Sequence, residues 1–436
     1  MVFSSKWILL FATVASLTST GTTQICTPAL GDRGHTYVVS TQDELDLIAD
    51  HCTTVNGSVV LFANYTGGFH LPNVRNITGG LAWRAWYADP YTPEQPSPTT
   101  VDLPDLEYVG ESMSMHSLST LTKLSAPKLR TVGWTVDVEY AAEVDLRALE
   151  SAENFRYMGN VSTLRVDSLR EVHQRLFICN KDGCLRGVTP DTAFDLALPS
   201  LSVAGEIDID GRYSSLAMPQ LSNISAPAST SGYSIVANGR FRFGTSGGEV
   251  LNLTFPKLSY VSGGMWVDGG IGSFEMAGMR NLTSALSLAS STPLNVTLPF
   301  RKATYIDILG SITEARFPNL ESWESLTVYS RLKLDCGITG DSLANTTAYP
   351  YNCYYIEGDS PSGGLSVSAK AGIGIGAGIG GLLSIGLLVW LIDKRKKRTE
   401  GLKSESNIHL EETPPTYGEV RRQDNPPEYA STRSGD

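Results

Sequence analysis

The stretch L-P-D-L-E-Y-V-G-E-S-M-S-M-H (Leu103–His116) returns 23 residues later as A-P-K-L-R-T-V-G-W-T-V-D-V-E (Ala126–Glu139). Each copy reads apolar residue, Pro, any residue, Leu, two residues, Val-Gly. A short alternating run follows, Met113/Met115 in one copy and Val136/Val138 in the other. Self-similarity at about 20 residues marks a solenoid. Taking the Leu of Pro-x-Leu as anchor, the phrase recurs at Val74, Leu106, Leu129, Leu149, Leu169, Leu201, Leu221, Leu258, Met279, Arg301 and Leu320. The intervals are 32, 23, 20, 20, 32, 20, 37, 21, 22 and 19, so the three long ones mark insertions or a rung too degenerate to recognise. Arg301 is placed only by spacing and by the preceding Leu298-Pro299.

Apolar pairs alternate after most anchors: Leu81/Trp83, Leu176/Ile178, Ile207/Ile209, Leu286/Leu288, Ile306/Ile308 and Leu326/Val328. Period-two alternation means a strand with one buried face. A second apolar run precedes many anchors, as in Leu251-Leu253-Phe255, so each rung reads as two short strands. One such rung cannot bury its own apolar face, whereas stacked rungs share a continuous core. The expected fold is all-β: a right-handed β-solenoid over 24–358, with one C-terminal transmembrane helix. A β-sandwich has no reason to repeat Pro-x-Leu-x-x-Val.

The ends of the chain read as delivery and anchorage. Lys6, the apolar run Trp7–Leu17 and small residues to Gly21 have the layout of a secretory signal peptide over 1–23. Residues 359–370 form a short stalk. Ala371–Ile392 has 22 residues without a charge, about 33 Å as a helix and enough to span a bilayer. Asp393 and K-R-K-K-R (Lys394–Arg398) follow, which places the tail on the cytoplasmic side. The expected location is the plasma membrane, single-pass and type I. Gly372, Gly376 and Gly380 are four apart, a spacing that permits a homodimer through the span.

The tail 393–436 has nine basic and nine acidic residues and few apolar ones, the composition of a disordered segment. It carries Pro414-Pro415-Thr416-Tyr417 and Pro426-Pro427-Glu428-Tyr429. Pro-Pro presets a polyproline II turn for the groove of a WW domain, and Tyr fills a neighbouring pocket. Two copies favour bivalent capture by a WW-containing ubiquitin ligase or its adaptor, with Lys394, Lys396, Lys397 and Lys403 as acceptors.

Six cysteines group as neighbours: Cys26/Cys52, Cys179/Cys184 and Cys336/Cys353. In a secreted chain an even count reads as disulfides, here closing the two ends and stapling one insertion. Zinc bound by Cys with His35 and His51 is the other reading, without any C-x-x-C pair to support it. Nine N-x-S/T sequons stand at Asn56, Asn64, Asn76, Asn160, Asn223, Asn252, Asn281, Asn295 and Asn345, and none follows the apolar span. That asymmetry fits a glycosylated exterior, although Asn-x-Thr also suits strand edges.

Chemistry is sparse. The net charge of −11 argues against a nucleic-acid partner. No H-E-x-x-H or P-loop pattern occurs, and no cofactor is indicated. Because β-solenoids include polysaccharide-cleaving enzymes, the outward acids Asp137, Asp208, Asp210, Asp268 and Asp307 need weighing. Glycoside hydrolysis wants two carboxyls roughly 5 to 9.5 Å apart. Asp137 and Asp208 are three rungs, about 14 Å, apart, while Asp208 and Asp210 are about 7 Å apart on one strand. The plainer reading of the latter is two polar positions alternating with Ile207 and Ile209. His116 and His173 read as surface residues. Trp266 and Tyr329 are aromatics able to stack on sugar, or to serve in packing.

With these rungs, the opening T-Q-D-E-L-D-L-I-A-D-H-C-T-T-V-N-G-S-V-V (Thr41–Val60) and the capping cysteines, residues 26–353 resemble the fungal cell-wall-organisation family with receptor L-type repeats. The resemblance implies a heavily glycosylated, GPI-anchored surface protein needed for wall integrity. Here the apolar segment is followed by 44 further residues, which implies a retained transmembrane helix. The expectation is a non-enzymatic surface glycoprotein contacting a wall glycan or surface protein. The alternatives are a sensor signalling through its tail and, more weakly, a polysaccharide-active enzyme.

Overall fold

Tyr108-Val109 and Thr131-Val132, the same words in the two copies of the phrase, lie side by side as parallel strands. Met113, Ser114 and Met115 face Val136, Asp137 and Val138 in the same way. The repeat is therefore a rung, and successive rungs stack in register as a β-solenoid of about 13 turns with one helix. The computed structural model describes residues 24–31, 34–83, 95–185, 192–225, 239–247, 249–334 and 351–356. The expected signal peptide, stalk, membrane span and tail, together with Cys336 and Asn345, lie outside the described residues. Among the described residues, no helix is long and apolar enough to cross a membrane.

Each rung has three faces where two strands were expected. A narrow face is built from two-residue pairs, from Thr54–Val55 through Asn76–Ile77 and Tyr108–Val109 onward. A broad face runs from Gly34–Val39 to Tyr351–Tyr355. The third face contains Thr66–His70, Ser97–Asp102, Lys123–Ser125, Glu143–Asp145 and Thr163–Arg165, and continues through Leu251–Thr254 and Ile271–Glu275. A two-residue strand is too short to show alternation, which is why the narrow face is hidden in the sequence.

The core is a set of columns. The anchors Leu106, Leu129, Leu149, Leu169, Leu201, Leu221 and Leu258 are all fully buried. Phe155 and Tyr157, Phe241 and Phe243, and Met265 and Val267 complete the two inward rows of the broad face, in register with Val136 and Val138. One expected anchor is displaced by a residue. Arg301 is exposed, and Phe300 beside it is fully buried, because the column accepts only an apolar side chain.

The Val-Gly of the phrase also has a structural cause. At the corner between narrow and broad faces, successive backbones pass very close. A Cβ on Gly133 would stand 2.0 Å from the Gly110 carbonyl oxygen, and one on Gly110 would stand 2.1 Å from that of Thr78. Only glycine leaves room for the next rung.

The N-terminal end is closed by the helix Gln42–His51, which buries Leu45, Ile48 and Ala49 against the first rungs. Thr41 and Glu44 form a reciprocal capping box that starts it. The Cys26–Cys52 disulfide ties its end to the first narrow strand. Cys179–Cys184 closes a five-residue separation in the second insertion. Cys353 is also disulfide-bonded, with its partner outside the described residues.

Gly133→Ala and Gly110→Ala are each expected to lower stability by about 1–3 kcal/mol, the scale of overpacking in a close contact. Thermal unfolding of the purified variants checks this, and wild-type melting of both would refute the corner argument.

Candidate functional site

Among the described residues, the broad face carries a network of charged side chains contributed by successive rungs. Period two points residues between the inward rows outward, and the register lines up Asp137, Arg156, Phe177, Asp208, Arg242, Trp266, Ser287, Asp307 and Thr327. A second outward row contains Glu139, Met158, Cys179, Asp210, Gly244 and Asp268. The five acids singled out in the sequence therefore share one face. Asp137 and Asp208 are three rungs apart, as counted from the anchors.

Sequence reasoning missed the cations. Arg156 donates to Asp137 at 2.7 and 2.9 Å and lies 2.9 Å from Glu139. Arg175 reaches Asp208 at 2.5 Å and Glu206 at 3.6 Å, with its guanidinium 4.8 Å from the Phe177 ring centre. Arg240 lies 3.0 Å from Glu206. Lys181 pairs with Asp210, and Arg242 lies 3.6 Å from Asp210 and 4.0 Å from Asp208. Glu139, Glu206, Asp208 and Asp210 are each buried to more than nine-tenths. The carboxylates form a lower layer, and half-exposed guanidiniums lie over it.

Burial raises the Asp137 carboxyl above the ordinary range, against the pull of Arg156. Burial and then the nearby Asp210 raise Asp268. Burial alone raises Asp307. Gly244, between Asp210 and Asp268, lets those carboxylates lean together. A Cβ there would stand 3.0 Å from Asp210 Oδ1 and 3.4 Å from Asp268 Oδ1.

Two constellations resemble catalytic ones. Asp208 and Asp210 are both engaged by cations, which describes a charge network rather than a free acid and nucleophile. Ser114, His116 and Asp137 also converge, with Ser114 Oγ 2.6 Å and Asp137 Oδ2 4.0 Å from His116. Both contacts address Nδ1, whereas a relay needs the hydroxyl and the carboxylate on opposite ring nitrogens. His173 is exposed at the corner between the narrow and broad faces. The sulfurs near His51 are joined in the Cys26–Cys52 disulfide.

Eight of the nine sequons fall among the described residues, and none of the eight asparagines is buried. Asn76, Asn223 and Asn281 occupy the outward position of the narrow face. Asn252 and Asn295 point outward from the third face. In these five the middle residue is a core residue, Ile77, Ile224, Leu282, Leu253 or Val296. Asn and the hydroxyl residue two positions on therefore lie on the same outer surface. Asn56, Asn64 and Asn160 lie in turns at the ends of the broad face. No described sequon stands on its outward rows.

The curated protein "Protein ecm33" of Aspergillus fumigatus is 24% identical over 132 residues, which cover 30% of each chain. The match thus spans less than a third of that protein's length. No family model matches the chain, and no solved structure matches it.

Arg175→Ala leaves two buried carboxylates partly unpaired and is expected to cost about 1–3 kcal/mol by chemical denaturation. Arg240 and Arg242 remain nearby and keep the loss below that of an isolated buried pair. Asp268→Asn acts with opposite sign. A carboxyl raised in the fold carries no penalty below its unfolded range, and the penalty appears as pH rises through that range toward the folded value. The variant should therefore melt higher than wild type at pH 7 and equally at about pH 3.

Proposed function

We propose that this chain is a non-enzymatic, single-pass type I surface glycoprotein that contributes to fungal cell-wall organisation. Its ectodomain is read as a right-handed, receptor-L-domain-like solenoid. The observation that carries the reading is the division of its surface. The described sequons lie on the narrow face and the third face, with Asn and hydroxyl both outward, and in turns, while none of them stands on the outward rows of the broad face. Glycans on two faces would keep the stack soluble and separated from neighbours, and leave the broad face for contact with a wall glycan or surface protein. The resemblance of the opening stretch and rungs to the wall-organisation family, and the distant similarity to the Aspergillus protein, support the same setting. The Pro-Pro-x-Tyr pairs in the tail fit a WW-domain ligase or adaptor that sets surface lifetime, and the Gly-rich span fits a homodimer.

A sensor would share every ectodomain feature and differ only in needing its tail. The test is rescue of a deletion strain under wall stress, by the full chain and by a version with residues 371–436 replaced by a GPI signal. Equal rescue is expected, with Tyr417→Ala/Tyr429→Ala raising the surface amount. Rescue by the full chain alone would put the sensor reading first. Failure of both to reach the surface or to carry N-glycans would end the proposal.

A further inference from the structure

On the bare face one aromatic ring is held in an unusual posture. Trp266 points outward between the core residues Met265 and Val267 and is 38% exposed. Its indole folds back along its own strand onto Gly264. A Cβ on Gly264 would stand 2.2 Å from Cη2 and 2.6 Å from Cζ3 of the ring. The six-membered ring thus occupies the place of a missing side chain, while the residue stays 38% exposed. The next rung presents Ala285, and the rung after that presents Tyr305, which pairs with Ala285 in register and is 51% exposed. Gly264, Ala285 and Tyr305 form one outward column along the stacking direction, and the Trp266 ring, which folds back from the neighbouring column onto the Gly264 position, lies in that column two rungs, about 9.6 Å, from the Tyr305 position. Arg240 and Arg242 border the row on the preceding strand, 46% and 54% exposed.

We propose that this row is a binding platform for an extended, neutral polysaccharide chain lying along the solenoid axis, across the strands. Three features select that occupant. First, the cations are matched: five of them (Arg156, Arg175, Lys181, Arg240, Arg242) stand over five carboxylates (Asp137, Glu139, Glu206, Asp208, Asp210), and Asp268 and Asp307 on the same face leave no excess of positive charge. A paired layer offers guanidinium N–H donors to hydroxyls without the net positive field that a polyanion needs. Secondly, a ring folded back along its own strand over Gly264 does not project as an anchor, whereas protein hot spots centre on side chains that fill a partner's pocket. A pyranose carries its C–H groups on its flat faces and matches such a ring. Thirdly, the two aromatic positions are spaced along the stacking direction by two rungs, which suits an extended ligand lying along the axis. The proposal rests on the broad face being the bare contact face, yet it can fail while that reading stands.

The experiment is co-sedimentation of the full-length detergent-solubilised protein with insoluble β-1,3-glucan and, in a parallel arm, with chitin, plus fluorescence titration with the soluble oligosaccharide of the polymer that retains it. Trp266→Ala removes the platform. Gly264→Ala keeps the tryptophan and displaces its ring, so it separates ring posture from ring presence. Tyr354→Ala, an exposed aromatic on the last strand of the same face, is the control. Both platform variants are expected to bind at least about tenfold more weakly, the factor that 1.4 kcal/mol represents, with melting unchanged and the control as wild type. Retention by neither polymer overturns the proposal, as does retention that both platform variants preserve. Wall-stress rescue by Trp266→Ala, measured alongside, separates loss of this site from loss of the wider function.

Discussion

Everything in this molecule depends on parallel hydrogen bonding between one rung and the next. The ladder fixes neighbours at about 4.8 Å and forbids them from sliding, because a slip of one residue would turn Phe155 and Tyr157 outward and bury Arg156. Like positions are thereby forced into columns. A column inside must be apolar on every rung, a corner column with little clearance must be glycine, and an outer column becomes a line of side chains. The disulfide and the capped helix at the N-terminal end follow from the same constraint, since a stack of ladders leaves an unpaired edge that has to be covered.

The outer columns of the broad face show what the constraint does to charge. Side chains one rung apart touch, so like charges stacked directly would repel. The central row avoids this by placing Arg156 beside Asp137 and Arg242 beside Asp208. Arg175 then reaches diagonally to Asp208 and covers Phe177. The result locks the rungs laterally and costs desolvation of the acids, which only close pairing offsets. Where pairing thins out, at Asp268 and Asp307, burial acts unopposed or nearly so and the carboxyls are harder to ionise.

How far the sequence could be read follows from which columns were long enough to repeat. Leu106, Leu129 and Leu149 announce themselves because the anchor column tolerates little else, and the alternating broad strands are readable wherever both inward residues are aliphatic. Phe300 was missed in favour of Arg301 because the phrase there lacks its leucine and spacing alone is uncertain by a residue. The narrow face was missed because two residues carry no period. The outward acids were found from alternation, but their cations were not. Arg175 and Asp208 are separated by an insertion, and only the register of the strands brings them together. The sequons were plain as motifs, whereas their absence from one face needed the faces to be known.

The posture of Trp266 lies beyond any pattern of that kind. An outward tryptophan on a strand ordinarily leans over its neighbours and is absorbed into packing, which is how the sequence alone would have it. Here the neighbour two residues back is glycine, and a glycine in a strand usually weakens the sheet by leaving nothing to pack. The two facts compensate: the indole covers the bare backbone of Gly264, and the glycine supplies the recess that lays the ring down. A ring used only for packing would gain more by burial than by leaving over a third of its surface in water. Tyr329, the other aromatic considered for such a role, is half-buried between Leu309 and Tyr354 and lacks any glycine to lie upon. The difference between these two residues therefore lies in the neighbour each has on the outer face, and that neighbour decides which of them can offer a flat ring to a ligand.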